Sequence, residues 1–479
     1  MTSLRLSAPL DTHRPNAWWY PVAVVGAVAS AALVALAGPM IALALAGGIA
    51  LLAVAVWMPG VLFAAYILSG IYKAAWQPYL PVDSTVVLAA LCAFQVVPLV
   101  LRERPTGISK AGLGLLLAIG CLYLAGFLYA PDQGIALGYV ATFWGLSLIP
   151  MIPAALRVGA RDSYLRQFLW TLFLFGIPMT VIGILQLSTT SRLAVFGAST
   201  IEVSRTALLV PLLWIVYILR RQGWLAKAAT LAFIPAAIIV AIASGSRGPL
   251  LALLVMGVAW LVAAFLRPRH VNWKVVSSIG VVALVTVVVL SAVASTLPSL
   301  SLVRFSLFED FLTNLTAGDV DPTTGDTSSG RRLVLYEAAF TMFQDEPILG
   351  YGTGGFQASS PPFTGPPFYA WPHNAILQYA AEFGVVGVAL FLLAIAVALL
   401  RRFPPGHLGL AIKVIFVFFL LNAMVSDDIY GSRTLWGFFC LILLISVPAV
   451  SRATASVRDA IPAGRVAAPG GPGVVSADA

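Results

Sequence analysis

Charge is scarce in this chain of 479 residues: Asp, Glu, Lys and Arg make up 10% of it, against 60% hydrophobic residues. Soluble domains carry roughly a quarter charged residues, so the composition excludes a soluble domain. Cysteine is scarcer still. Cys92, Cys121 and Cys440 all stand inside apolar runs, which argues against a disulfide framework or a thiolate metal cluster and for small buried hydrophobes. Acidic metal-binding spacing is nearly missing. Asp319 and Asp321, with Asp326 after them, could hold a divalent ion, but their Thr/Ser/Gly-rich setting reads as a solvated loop. Gly352-Thr-Gly-Gly355 lacks the Lys-Ser/Thr ending of a phosphate loop. No metal and no cofactor is expected.

Long apolar runs dominate what remains, and the mean hydropathy is +0.95. Runs of about 18 or more residues are the membrane-helix signature. They fall near 18–38, 40–57, 59–75, 83–101, 112–130, 135–154, 164–187, 203–220, 225–244, 247–266 and 273–296, then near 374–400, 408–426 and 430–450. The run near Ala17–Ala37 lacks the flank and cleavage site of a signal peptide, so it reads as a first span. The expected fold is all-α: a polytopic integral membrane helix bundle of 12–14 spans with one large outer loop carrying short helices. Residues 1–17 form an N-terminal tail, 18–297 about eleven spans, 298–373 the loop, 374–450 three further spans and 451–479 a disordered tail.

Most of the 28 lysines and arginines cluster in alternate loops and at both ends, as at Arg157, Arg161 and Arg166 or Arg401 and Arg402. Cytoplasmic loops retain Lys and Arg, so both ends and these loops are expected in the cytoplasm. The net charge of +9 then faces anionic lipid headgroups, and no nucleic-acid partner is needed. On the opposite side the basic residues are nearly all arginine, the better match to phosphate or carboxylate. Of four histidines, His373 alone falls on that side.

Within the outer loop, Leu302–Leu312 has helical apolar spacing and suits the membrane surface. Arg331–Phe343 reads as an amphipathic helix with Leu335, Ala338, Ala339 and Met342 on one face, followed by a glycine-rich turn at Pro347–Gly355. The loop ends at Trp371-Pro-His-Asn374, where water-exposed chain enters an apolar helix bearing Gly384 and Gly387. His373 is placed to meet a water-borne and a lipid-borne group, and simple capping of the helix is the competing reading. Ser244-Gly-Ser-Arg-Gly248 holds Arg247 in a tight outward turn near hydrocarbon, where arginine is costly without an anion. Snorkelling to headgroups is the alternative there. Asp427-Asp428 with Arg433 reads as a local ion pair, and Asn314-Leu-Thr316 is a weak sequon.

Three of these elements stand in the order found in the O-antigen ligase/polymerase superfamily of bacterial membrane glycosyltransferases, which the chain resembles between about Leu187 and Leu400. They are the Ser-Arg-Gly turn with Arg247 and Leu251, the Gly-Arg-x-x-x-aromatic helix with Arg332 and Tyr336 leading into Pro347-Ile-Leu-Gly350, and His373-Asn374 with Gly384 and Gly387. The resemblance implies a bacterial inner-membrane enzyme with its active site facing the periplasm. It would move a glycan from an undecaprenyl-diphosphate carrier to a hydroxyl of lipid A-core, without metal and with inversion. A polymerase would use a second lipid-linked glycan as acceptor instead. On the same grounds His373 would orient or deprotonate the acceptor. Arg247, Arg332 and Arg205 would hold the donor diphosphate, with Asn374, Arg331 and Tyr336 supporting. A lipid or polysaccharide flippase also fits many spans with membrane-proximal arginines. Against it stand the lack of an inverted repeat and the crowding of polar motifs on one face.

Overall fold

The computed structural model describes residues 51–77, 82–101, 103, 108–187, 193, 195–218, 224–266, 327–360, 371–401 and 407–445. The expected spans at 18–38 and 273–296, the stretch at 302–312, the sequon, the aspartates at 319–326 and the tail lie outside these residues. Among the described residues the architecture is helical, and Ile108 and Ile445 form an isolated antiparallel bridge. Among the described residues, seven helices are long and apolar enough to cross a membrane.

In chain order the helices are α1 (Pro59–Ile67), α2 (Ser69–Trp76), α3 (Ser84–Ala93), α4 (Val96–Leu101), α5 (Lys110–Leu128), α6 (Gln133–Phe143), α7 (Ile149–Gly159) and α8 (Asp162–Gln186). Then follow α9 (Thr200–Leu213), α10 (Trp224–Ala243), α11 (Arg247–Leu266), α12 (Thr327–Asp345), α13 (Gly355–Ser359), α14 (Ala375–Leu400), α15 (His407–Ser426) and α16 (Arg433–Leu444). Their starts are written in the sequence. Asp83, Ser109 and Asp132 cap α3, α5 and α6 through their side chains, and Ser199 with Glu202 forms a capping box on α9. A π-turn at Trp144–Leu148 joins α6 to α7 just before Pro150, and another at Trp214–Ile218 follows Pro211. Proline removes a donor and clashes with the carbonyl four residues back, so the helix widens locally instead of breaking.

Two expected spans change character. The run at 59–75 is two short helices broken at Leu68 (φ −96°, ψ 4°), before the weak helix formers Ser69 and Gly70. The run at 430–450 contains the twelve-residue α16, whose residues Leu435 to Leu444 are all buried by protein. It serves as the central post of the bundle, with Trp436, Phe438 and Phe439 in the aromatic core. Small residues bring the neighbouring helices close. A side chain at Gly176 would lie 2.9 Å from the Thr206 carbonyl of α9, and one at Gly183 would meet Val240 of α10. Among the cysteines, Cys92 and Cys440 are buried and Cys121 is exposed on the flank of α5; all three are free thiols.

One member of a basic loop cluster is not a headgroup contact. Arg157 is only 2% exposed; it donates to the carbonyls of Ala55 (2.8 Å) and Val56 and to Gln95, and pairs with Glu103 at 3.3 Å. It staples α7 to the segment before α1. Arg157→Ala strands those acceptors in the interior, a loss of about 3–5 kcal/mol for a broken buried pair. Thermal unfolding in detergent is therefore expected to fall well below that of wild type, and an unchanged midpoint would refute the staple. At the same end of the bundle, Lys413 donates to the Leu399 and Arg401 carbonyls that close α14.

Candidate active site

The other end of α14 is built around His373. Pro372 disfavours helical dihedrals in Trp371, and Asn374 (φ −141°, ψ 114°) caps α14 by accepting from the Leu377 amide at 3.1 Å. Between them His373 has φ 56° and is the one non-glycine residue with positive φ among the described residues. That conformation costs about 1–3 kcal/mol and persists where surrounding structure over-determines it, often at functional sites. The imidazole lies 5.3 Å from the Trp371 ring. His373 Nδ1 and Trp371 Nε1 are both buried, and neither finds a partner among the described residues. Orphaned buried polar atoms are rare enough that each calls for a ligand or a role.

Burial first, and then the Arg332 guanidinium, hold the imidazole of His373 down at about 4, against weaker upward pushes from Asp427 and a polar contact with the Ser426 backbone. At neutral pH His373 is therefore uncharged, with a lone pair available for a proton.

A second centre, at the end of α15, gathers the arginines. Arg205, from α9 and 7% exposed, donates to Ser426 Oγ at 2.8 Å and Asn422 Oδ1 at 3.3 Å, and pairs with Asp427 at 3.2 Å. Asp427 also accepts from Ser432 Oγ at 2.5 Å. The Ser-Arg-Gly turn docks on the same corner. Gly245 is left-handed (φ 72°), the turn is tied by Ser246 N donating to Ser244 Oγ, and a side chain on Gly248 would lie 3.2 Å from Ser426 Oγ. Gly248 thus lets the first turn of α11, which Arg247 begins, seat directly on Ser426. The corner Ser426-Asp427 is shared by α9, α11 and the His373 loop.

Beneath His373 a polar cluster fixes the helix mouth. Glu382, 1% exposed, accepts from Gln378 Nε2 (3.2 Å), from the Gly354 amide (3.2 Å) and from the Tyr430 hydroxyl. Gln378 in turn accepts from the Ile429 amide at 3.1 Å. Beside this cluster α14 is broken. Gly384 takes φ 60°, ψ −155°, a region open essentially to glycine alone. The Pro347-Ile-Leu-Gly350 turn inserts into the break, with Val385 N donating to Pro347 O at 2.8 Å and Gly352 N to Glu382 O at 2.7 Å. This joint ties α12 and its arginines to the His373 helix. α12 buries Leu335, Ala338, Ala339 and Met342, the face its periodicity marks, against Phe356 and Ala381.

The structure therefore brings His373, Arg332, Arg205 and the turn bearing Arg247 to one end of the bundle. Arg332 acts on both His373 and Tyr336, whereas the neighbouring Arg331 is exposed. Asn374 is a helix cap. Gly387 faces its own Phe383 and Tyr379 across the break, while Gly384 is the glycine against which another segment packs. Asp427 pairs with Arg205 from α9; its expected partner Arg433 pairs with no carboxylate among the described residues. Sequence reading overlooked Asn422, Ser426, Glu382 and Tyr430. Asn422 and Ser426, four apart with Asp427 next, were the available signal: polar groups at one end of one helical face.

Fold and site together define an integral membrane protein of the all-α polytopic class, with arginines and a neutral histidine gathered at one end. Residues 231–392, about a third of the chain, match the family model described as O-antigen ligase. The matched stretch contains Arg247, Arg332 and His373, whereas Arg205 and Asp427 lie on either side of it. No curated protein and no solved structure matches the chain.

Proposed function

We propose that the protein is a glycosyltransferase of the inner membrane that transfers a glycan from an undecaprenyl-diphosphate carrier to a hydroxyl of lipid A-core on the periplasmic side. The observation that carries this reading is the meeting of three arginine-bearing elements and an uncharged imidazole, its Nδ1 without a partner among the described residues, at one end of the bundle. Arg247 and Arg332 engage the diphosphate, and Arg205 adds charge from a position fixed by Asp427 and Ser426.

The acceptor hydroxyl attacks the anomeric carbon, its proton passes to His373, and the bond from that carbon to the phosphate oxygen breaks. The electron pair leaves with the diphosphate, where guanidinium groups stabilise the growing negative charge. A single displacement inverts the anomeric centre. Donor binding also strengthens the base, because diphosphate charge offsets the Arg332 guanidinium that holds His373 down.

The test is purified protein supplied with undecaprenyl-diphosphate-linked glycan and either lipid A-core or a second lipid-linked glycan. Glycosylated lipid A-core with an inverted linkage is the expected product. Product formed only on the second lipid-linked glycan would make the protein a polymerase. Transbilayer movement of the carrier without any new glycosidic bond would make it a flippase.

A further inference from the structure

Next to the corner at Asp427 lies a cavity of ≈ 60 Å³, lined by Arg205, Glu202, Thr206, Gly70, Asp427 and Arg433, among others. Its chemistry is mixed in a way that a phosphate site is not. Arg433 pairs with no carboxylate among the described residues. Glu202 gives Oε2 to the capping box at Ser199, while its Oε1 and the Arg433 Nη2 both border Gly70. A methyl group on Gly70 would lie 3.0 Å from the first and 2.8 Å from the second. Thr206 is 1% exposed, and its hydroxyl has no partner among the described residues. A guanidinium that only donates, a carboxylate oxygen that only accepts and an orphaned hydroxyl that does both are the groups that read vicinal sugar hydroxyls. A single water needs about 10–15 Å³, so the space is large enough for one hydroxyl-bearing edge of a sugar.

We propose that this cavity is a sugar subsite for the donor glycan, in which Arg433, Glu202 and Thr206 bind hydroxyls of the sugar next to the diphosphate. The inference rests on the glycosyltransferase reading above. Arg205 favours the donor over the acceptor: it lines the cavity and is one of the arginines assigned above to the diphosphate, so whatever fills the cavity adjoins the diphosphate. The carboxylates of Glu202 and Asp427 disfavour an anion there, which leaves a neutral polyhydroxylated ligand.

Two variants test this without disturbing the backbone. Arg433→Gln replaces the guanidinium and its charge with a shorter neutral amide. Gly70→Ala fills the cavity, and its new methyl meets only the movable ends of Arg433 and Glu202. Affinities are measured in detergent for two probes, bare undecaprenyl diphosphate and the glycan-bearing lipid isolated from the source cells, with Arg247→Ala alongside. Both subsite variants are expected to weaken the glycan-bearing lipid about tenfold or more and to leave the bare carrier unchanged, whereas Arg247→Ala weakens both. Equal weakening of both lipids by Arg433→Gln would make the cavity an anion site and overturn the proposal. Unchanged affinity for the glycan-bearing lipid would overturn it too, as would a rise confined to the KM for lipid A-core. Wild-type protein that binds neither lipid would instead refute the glycosyltransferase reading, and the subsite with it.

Discussion

Replacing His373 with alanine is expected to cut glycan transfer about 10²–10⁴-fold, the span of a lost general base, while leaving the protein folded and the donor bound. The side chain lies at a helix mouth, and the cap belongs to Asn374, so α14 keeps its start. The wild-type pH profile tests the same assignment. With burial and Arg332 holding His373 at about 4 in the free protein, kcat/KM should be flat at neutral pH and fall as pH drops through about 4. The sign follows from the neutral imidazole being the active form. In the donor complex the diphosphate opposes the arginines, so the acid limb of kcat should lie at higher pH than that of kcat/KM. A limb that is absent, or unmoved in His373→Gln, would remove His373 from the reaction.

The same depressed value has a consequence for stability. Between about 4 and the ordinary value of 6.5 the unfolded chain binds the proton and the folded one does not. The contribution from this residue is whole above that window and is lost as pH falls through it.

The second large effect is structural. Gly384→Ala should abolish the native joint between α14 and the Pro347–Gly350 turn. The residue would be forced to hold φ 60°, ψ −155°, at about 1–3 kcal/mol for the backbone conformation alone. Its methyl would also sit 2.4 Å from the Ile348 carbonyl and 2.6 Å from Pro347 O, which are backbone atoms with no rotamer to yield. We expect a sharp drop in folded yield and in the melting temperature in detergent. Gly257→Ala is the control, since a side chain there meets nothing within 4 Å and alanine favours the helix. A Gly384→Ala protein that melts like wild type would mean the turn does not lock the helix break.

How far the sequence reached can be judged residue by residue. The apolar run at 247–266 is the helix Arg247–Leu266, and the run at 374–400 is Ala375–Leu400. A membrane helix satisfies its own backbone, so length and hydropathy are enough to place it. The periodicity of α12 likewise named the four residues it buries. The same hydropathy misread α1 and α2 as one span. It could not tell a helix buried by protein, such as α16, from one bathed in lipid, because both are uniformly apolar. Arg157 was misassigned for a related reason: a count of loop charges does not see that one of them turns inward.

Composition and spacing by themselves determined that this is a membrane-embedded helical protein with a histidine at a helix mouth and arginines in the neighbouring turns, since burial of apolar runs and the cost of bare charge near hydrocarbon are local, one-dimensional constraints. Which of those groups meet was decided only in three dimensions. Arg205 and Asp427 are more than two hundred residues apart, Glu382 reaches Tyr430 and Gly354 from different segments, and Arg433 is left facing Glu202 across Gly70. Polar partners inside a bundle are selected by helix packing, and nothing in a linear pattern records which faces that packing will press together.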